Sequence, residues 1–396
     1  SDGQQVFVLE DHGILSRHQP GQHWGFDGSN ESQDPYGVPW KTNRLVSYDL
    51  KTGRPRWSIG GGESKESFDL PLAGSFFYGT PAIDGDELLI VAGKGDDVRL
   101  WGLDRATGTP RWSQLIAYTD TKIEQDIGRR WFCAQVASDG GVIVCPTTVG
   151  WLVGVDRMRQ SVLWAHRYIP PSGSHERDPN SQFVPQRDLS LQWSPSAPVI
   201  SGSTVVYTPP EESIVLALNL LDGRRLWEMP KETWMYLAGV FDERVVMVGQ
   251  TEVAALELAT GKVLWKSSLD GSQPSGRGQG VEDQYYLPLS NGELRVIDLK
   301  TGKTISSGYV PSTHPPLGNL AMHQGKLVAL GANGLVGFGQ REAVLAEIQR
   351  RKAANATDSW ALLREAEIQL LNRQHAVALP LLQAIDPAGQ IGRAHV

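Results

Sequence analysis

The sequence predicts an all-β fold: a β-propeller of four-stranded antiparallel blades, followed by a short α-helical hairpin. Three observations carry this expectation. The frame Asp-x-x-Thr-Gly-x-x-x-Trp recurs along the chain. A second, hairpin-like marker precedes each copy. Both stop near residue 339, where the hydrophobic period changes to that of a helix.

The frame is complete at Asp49, Thr52, Gly53, Trp57 and at Asp104, Thr107, Gly108, Trp112. From Asp156 to Trp164, Arg159 and Gln160 replace Thr-Gly; Asn219, Asp222, Gly223 and Trp227 form a further variant. Glu257, Thr260, Gly261 and Trp265 make the fifth copy; Asp298, Thr301 and Gly302 make the sixth, with Ser306 in place of tryptophan. Residues such as Leu45, Val46, Tyr48 and Leu50 suit a strand entering the turn. Glycine, lacking Cβ, accepts the positive φ of a tight reversal, and the tryptophan on the returning strand can bury a large apolar area.

The second marker lies about 14 to 19 residues before each Asp position. It reads "AIDGDELLIV" (82–91), "VASDGGVIV" (136–144), "VISGSTVVY" (199–207), "VFDERVVMV" (240–248), "VEDQYYLPL" (281–289) and "MHQGKLVAL" (322–330). Each unit therefore reads as four antiparallel strands, lettered A to D from the channel outward, a pattern of propeller blades. Residues 2–58 supply B, C and D of a first blade. Complete blades are expected over 72–115, 128–168, 190–230, 233–268 and 276–308, with A, B and C of a seventh in 317–339. A segment upstream of Ser1 could supply both missing strands and close seven blades, and a longer one could add an eighth. The chain begins without methionine, so we expect a fragment whose leader, with any export signal or membrane anchor, lies upstream.

Residues 1–339 are thus expected to form the propeller and 340–390 the helical hairpin, over "REAVLAEIQRRKAANA" (341–356) and 360–385 with Asp358 or Thr357 as N-cap. Trp360, Leu363 and Ala376 sit where a tetratricopeptide repeat places its signature residues, while Glu367 and Pro380 depart from that pattern. A plain packing pair is the alternative. The terminal "IGRAHV" (391–396) reads as an ordinary tail or as the translation of a sequencing-adapter read.

Composition narrows the function classes. A net charge of −7 over 396 residues gives no basic footprint for nucleic acid, and no apolar run approaches the roughly 18 residues of a membrane helix. No nucleophile elbow, phosphate-binding glycine loop or zinc spacing occurs; "GGGES" (60–64) does not lead into a helix.

The repeated frame resembles that of the pyrroloquinoline quinone (PQQ)-like β-propellers, over about residues 2–339. That superfamily includes quinoprotein alcohol dehydrogenases and the lipoprotein scaffold of the outer-membrane protein assembly machinery. In the enzymes, the resemblance implies PQQ over a tryptophan beneath a disulfide of adjacent cysteines, with calcium on carboxylates and amides and an aspartate base. Here the two cysteines, Cys133 and Cys145, are not adjacent. They flank the turn "SDGG"; if its centre is near Asp139 they face each other, and either a cross-strand disulfide or two buried free thiols results. Neither makes the cofactor lid. No catalytic or cofactor-binding residue is assigned, and PQQ and calcium belong only to the alternative reading.

Loop length is the better guide to function. The A–B and C–D turns are minimal, whereas the insertions 11–43 (B–C), 59–71, 116–127 and 169–192 (D–A) all belong on one face. That face is the expected interaction surface, with Trp24, Asp27, His175, Glu176, Arg177 and Asp178 as binding candidates. His12, His18 and His23 are weak metal candidates, because their spacing matches no closed site. The leading reading is a non-catalytic, extracytoplasmic (periplasmic) propeller scaffold binding a protein or peptide. The alternatives are a diverged PQQ- and calcium-dependent dehydrogenase and a carbohydrate-binding propeller.

Overall fold

The structure, a computed structural model, describes residues 1–10, 42–62, 70–123, 126, 129–130, 134–169, 193, 197–310, 316–323, 326–331, 334–339, 341–371 and 374–385. Within them the chain forms seven antiparallel sheets, the blades of a propeller, and three helices. It divides into two compact units. One comprises residues 1–248 with 255–264, the other 249–254 with 265–396.

The first unit begins with a three-stranded blade, β1 (Gln5–Glu10), β2 (Arg44–Asp49) and β3 (Pro55–Gly60). The second blade is β4 (Phe76–Phe77), β5 (Ala82–Asp84), β6 (Glu87–Lys94), β7 (Asp97–Asp104) and β8 (Pro110–Tyr118). Here the expected single strand A is split: Phe76 pairs with Gly93, whereas Ala82 pairs with Leu89, two residues out of step. Pro81 lies in the gap and has no N–H to give to the ladder. The third blade is β9 (Ala137–Asp139), β10 (Val142–Pro146), β11 (Trp151–Asp156) and β12 (Ser161–Arg167). The fourth is β13 (Val199–Ser201), β14 (Thr204–Tyr207), β15 (Ile214–Asn219) and β16 (Arg225–Pro230). The fifth sheet is β17 (Trp234–Phe241), β18 (Arg244–Gly249), β19 (Glu252–Glu257) and β20 (Val263–Ser268).

The second unit carries β21 (Gln279–Val281), β22 (Gln284–Pro288), β23 (Glu293–Asp298) and β24 (Thr304–Tyr309), then β25 (Leu320–His323), β26 (Lys326–Gly331) and β27 (Gly334–Gly339). Three helices follow: α1 (Arg341–Ala354), α2 (Ser359–Leu371) and α3 (His375–Gln383). The expected hairpin is thus three helices. Gln374 leaves the helical region at φ −94°, ψ 62°, and its N–H closes on the Gln369 carbonyl at 2.8 Å, which ends α2 before α3 starts. Asp358 caps α2 by accepting the Ala361 N–H at 2.8 Å. Trp360 carries the Arg351 guanidinium 4.6 Å above its ring.

The frame now has a physical reading. In the C–D turns that carry Asp, its side chain holds the reversal: Asp49 Oδ1 accepts the Thr52 N–H (2.8 Å) and hydroxyl (2.9 Å), while the Gly53 N–H closes on the Asp49 carbonyl (2.8 Å). Asp104 and Asp298 repeat the arrangement with Thr107 and Thr301. The tryptophan of one blade then locks onto the turn of the next. Trp57 donates to the Arg105 carbonyl, Trp164 to Leu220, Trp227 to Leu258 and Trp265 to Leu299, at 2.7–3.3 Å. Their rings lie so close to Gly108, Gly223, Gly261 and Gly302 that a Cβ at any of these would sit within 2.5–2.8 Å of the indole. The residue facing the tryptophan across its own C–D pair is small: Ser47, Gly102, Gly154 or Ala217. Opposite Ser306 it is the larger Val296.

One junction departs from this rule. Gln160 occupies the left-handed position (φ 54°) that glycine takes elsewhere, and its Cβ stands where the indole of Trp112 would stack. Trp112 instead turns back to Glu87, 3.2 Å from both carboxylate oxygens. Arg157 takes over the junction, contacting Asp84 at 2.7 Å and Glu87 at 2.8 Å. Because a left-handed Gln carries a Cβ clash, Gln160→Gly should stabilise the fold by about 1 kcal/mol in urea denaturation; an unchanged or lowered midpoint would contradict this reading.

Cys145 is a free, fully buried thiol, and burial pushes its pKa well up, so it is unreactive. The turn is centred between Gly140 and Gly141, both at positive φ, not at Asp139. Val142 faces Asp139 and Val144 faces Ala137, so Cys145 comes opposite Val136, three residues from Cys133. The register that would have bridged the two is therefore absent; Cys133 itself lies outside the described residues.

Candidate functional site

Because each locking tryptophan reaches the next C–D turn, those turns share one end of the blades within each unit, and the B–C and D–A connections share the other. The four long insertions follow β1, β3, β8 and β12, so they leave the first unit at that second end. The binding candidates Trp24, Asp27, His175, Glu176, Arg177 and Asp178, and the histidines His12, His18 and His23, lie outside the described residues. What is described is the end of the blades from which the insertions depart, termed the floor below.

That floor is aromatic and hydrogen-bonded. Between the third and fourth blades, Tyr168 and Tyr207 have ring centroids 6.1 Å apart, and the Tyr168 hydroxyl donates to Glu211 at 3.0 Å. Burial raises both phenols well above their ordinary range, so both remain protonated donors. The Arg167 guanidinium lies 5.6 Å over the Trp151 ring, and Trp193 stacks on Tyr236 at 5.2 Å. In the second blade, buried Arg129 donates to the Thr121 carbonyl (2.8 Å), the Thr119 hydroxyl (3.1 Å) and the Tyr78 hydroxyl. The Asn43 amide clamps both backbone groups of Phe77, at 2.7 and 2.9 Å, tying the first blade to the second. Tyr118 stands out at 66% exposure, its hydroxyl hydrogen-bonded to Asp96 at 3.0 Å.

None of these floor residues was singled out from sequence. Tyr118, Thr119 and Tyr168 lie at or just before the starts of long insertions, and that adjacency is the signal that could have found them. The frame residues do other work: Asp49, Asp104, Asp156 and Asp298 hold turns, while Trp57, Trp164, Trp227 and Trp265 are engaged in locks between blades. Among the described residues no three His, Cys, Asp or Glu side chains converge to hold a metal ion. The two cysteines of the sequence are not adjacent, and these four tryptophans are packed against glycine turns. No described helix is long and apolar enough to cross a membrane.

No curated protein matches the chain. Among solved structures, BamB from Moraxella catarrhalis is similar at 18% identity, covering 74% of this chain and 78% of that one, with a TM-score of 0.48. The computationally designed protein Ika8 is similar at 14% identity, covering 76% and 81%, with a TM-score of 0.49. The family model described as outer membrane protein assembly factor BamB matches residues 34–188 and 125–284, and the chain belongs to this family.

Proposed function

We propose that this protein is a non-catalytic propeller scaffold that binds a protein or peptide partner, in an extracytoplasmic compartment, through the face carrying its long insertions. The observation that carries the reading is the division of labour between the two ends of the blades. One end is given to short Asp-held turns and tryptophan locks. At the other, from which the four insertions depart, the described residues form an aromatic floor with buried hydrogen-bond donors, the composition expected of protein-binding surfaces. Membership of a family described as an outer-membrane protein assembly factor supports a scaffold role outside the cytoplasm. α2 and α3, with Trp360, Leu363 and Ala376 at tetratricopeptide-like positions, would supply a further peptide-binding element.

A titration tests the non-catalytic part. Adding PQQ and calcium to about 100 μM, far above a functional cofactor affinity, should leave the melting temperature unchanged and produce no dye-linked alcohol oxidation. A melting shift of several degrees accompanied by turnover would replace the scaffold by a diverged dehydrogenase.

A further inference from the structure

The junction between the second and third blades, which lacks the tryptophan lock at its turn end, gathers unanswered hydrogen-bond donors at its long-loop end. Arg129 is 4% exposed and lies where the D–A connection enters the third blade. Its guanidinium donates to the Thr121 carbonyl and to the Thr119 and Tyr78 hydroxyls, all neutral groups, and lies 5.4 Å from the Tyr78 ring centroid. Among the described residues it pairs with no carboxylate, and its Nε is buried without a hydrogen-bond partner. Asp126, the acidic residue nearest in sequence, accepts the Arg129 N–H at 3.0 Å instead. The adjacent Arg130 is half-buried, and its Nε is likewise buried without a partner.

An independent observation comes from the B–C turn of the third blade. Among the described residues, Thr148 is the one β-branched side chain held at positive φ (59°), a strained conformation. It is 5% exposed, and its hydroxyl is buried without a hydrogen-bond partner. The topology brings these groups to one rim. Ala134, which leads from Arg129 and Arg130 towards β9, gives its N–H to the Tyr78 carbonyl at 2.9 Å. β10, paired with β9 at Val144 and Ala137, runs directly into Thr147 and Thr148. The turn end of the same unit is different, because Arg56, Arg111 and Arg157 each meet a carboxylate there at 2.5–2.7 Å. A buried cation without a counter-charge and a buried donor without an acceptor both cost stability, and what would answer them is an anion rich in acceptor oxygens.

We propose that this rim is a carboxylate-binding site that takes an acidic segment of the partner polypeptide. The inference rests on the reading that the long-loop face binds a protein, and it names the chemistry of what is bound. Carboxylates are acceptor-only and make their strongest hydrogen bonds to guanidinium groups, so neighbouring acidic side chains match the Arg129, Arg130 and Thr148 donors. The chain as a whole carries a net charge of −7, which disfavours general attraction of acidic peptides. Capture of one therefore requires a local cationic site.

The probe is fluorescein-labelled hexaglutamate, titrated with the whole chain at low salt and followed by anisotropy. Saturable binding at roughly 10–100 μM is expected, with none for hexalysine. Arg129→Gln should weaken it about tenfold or more. Arg130→Gln and Thr148→Val leave the Arg129 hydrogen bonds to Thr121 and Tyr78 in place, and each should weaken binding several-fold with no loss of melting temperature. Arg54→Gln with Arg224→Gln, exposed arginines beside the opposite turns, should change nothing. Free acetate should displace the peptide only at about a hundredfold higher concentration. Absence of saturable binding, or an equal loss from the Arg54 and Arg224 changes, overturns the proposal. Displacement by acetate at the peptide's own concentration also overturns it, because the site would then serve a small carboxylate rather than a protein segment. None of these results removes the protein-binding reading of the face, which crosslinking from Tyr118 reads separately.

Discussion

Trp164→Ala should lower the unfolding free energy by about 3–5 kcal/mol, the range for emptying a buried aromatic site. Trp164 is buried, spans its own Gly154 and the turn at Gly223 in the next blade, and donates to the Leu220 carbonyl at 2.7 Å. Its loss opens a cavity, leaves that carbonyl without the indole N–H and separates two blades at one stroke. Trp112→Ala is the informative contrast. Trp112 does not stack on the next turn, and Arg157 and Arg111 still contact Glu87, at 2.8 and 3.6 Å, after it is removed. Its cost should be about half as large, measured as the urea midpoint multiplied by the slope. Equal losses at the two positions would show that the lock onto the neighbouring turn adds nothing.

Arg295→Leu is expected to cost about 3 kcal/mol, because it strands a buried carboxylate. Glu293 and Arg295 are both buried and pair at 2.8 Å, and Arg295 also reaches the Ser268 carbonyl and Asp270, each at 3.0 Å. The Arg295 guanidinium holds the Glu293 carboxyl down at about 2, with help from Ser307 and Asn291. A depressed carboxylate contributes stability that is fully present above its unfolded value of about 4.3 and is lost as pH falls towards 2. The gap between wild type and Arg295→Leu should therefore be constant above about pH 5 and shrink below it. The double change Glu293→Leu with Arg295→Leu should recover most of the loss, since two apolar groups need no ion partner. A double variant no more stable than Arg295→Leu would mean that the pair is not what holds this corner together.

The sequence was most legible where structure is local. Asp49 and Gly53 announce a turn because the Asp side chain and the glycine φ act within five residues, and the A–B hairpins and the Asp358 cap are local in the same way. It was least legible where a side chain meets a partner from another blade. Nothing near Gln160 shows that its Cβ displaces Trp112 onto Glu87, or that Arg157 then fills the junction. The condition under which Cys133 and Cys145 would face each other, a turn centre near Asp139, turned on one residue within "SDGG", since each residue of shift re-pairs the whole hairpin. The split of strand A around Pro81 and the break at Gln374 were likewise invisible to a hydrophobic count. For the candidate face, insertion lengths gave one end of the strands to search. The floor residues escaped because Tyr168, Tyr207 and Glu211 meet only after two blades pack.

Photo-crosslinking from both ends of the blades, in cells of the organism that makes the protein, tests the scaffold reading most directly. A photoreactive residue at Tyr118 or Asp96, at the long-loop end, should yield discrete adducts with a partner protein. One at Met158 or Leu221, which are well exposed in the turns of the opposite end, should yield none. Adducts confined to Met158 and Leu221 would contradict the assignment of function to the long-loop face.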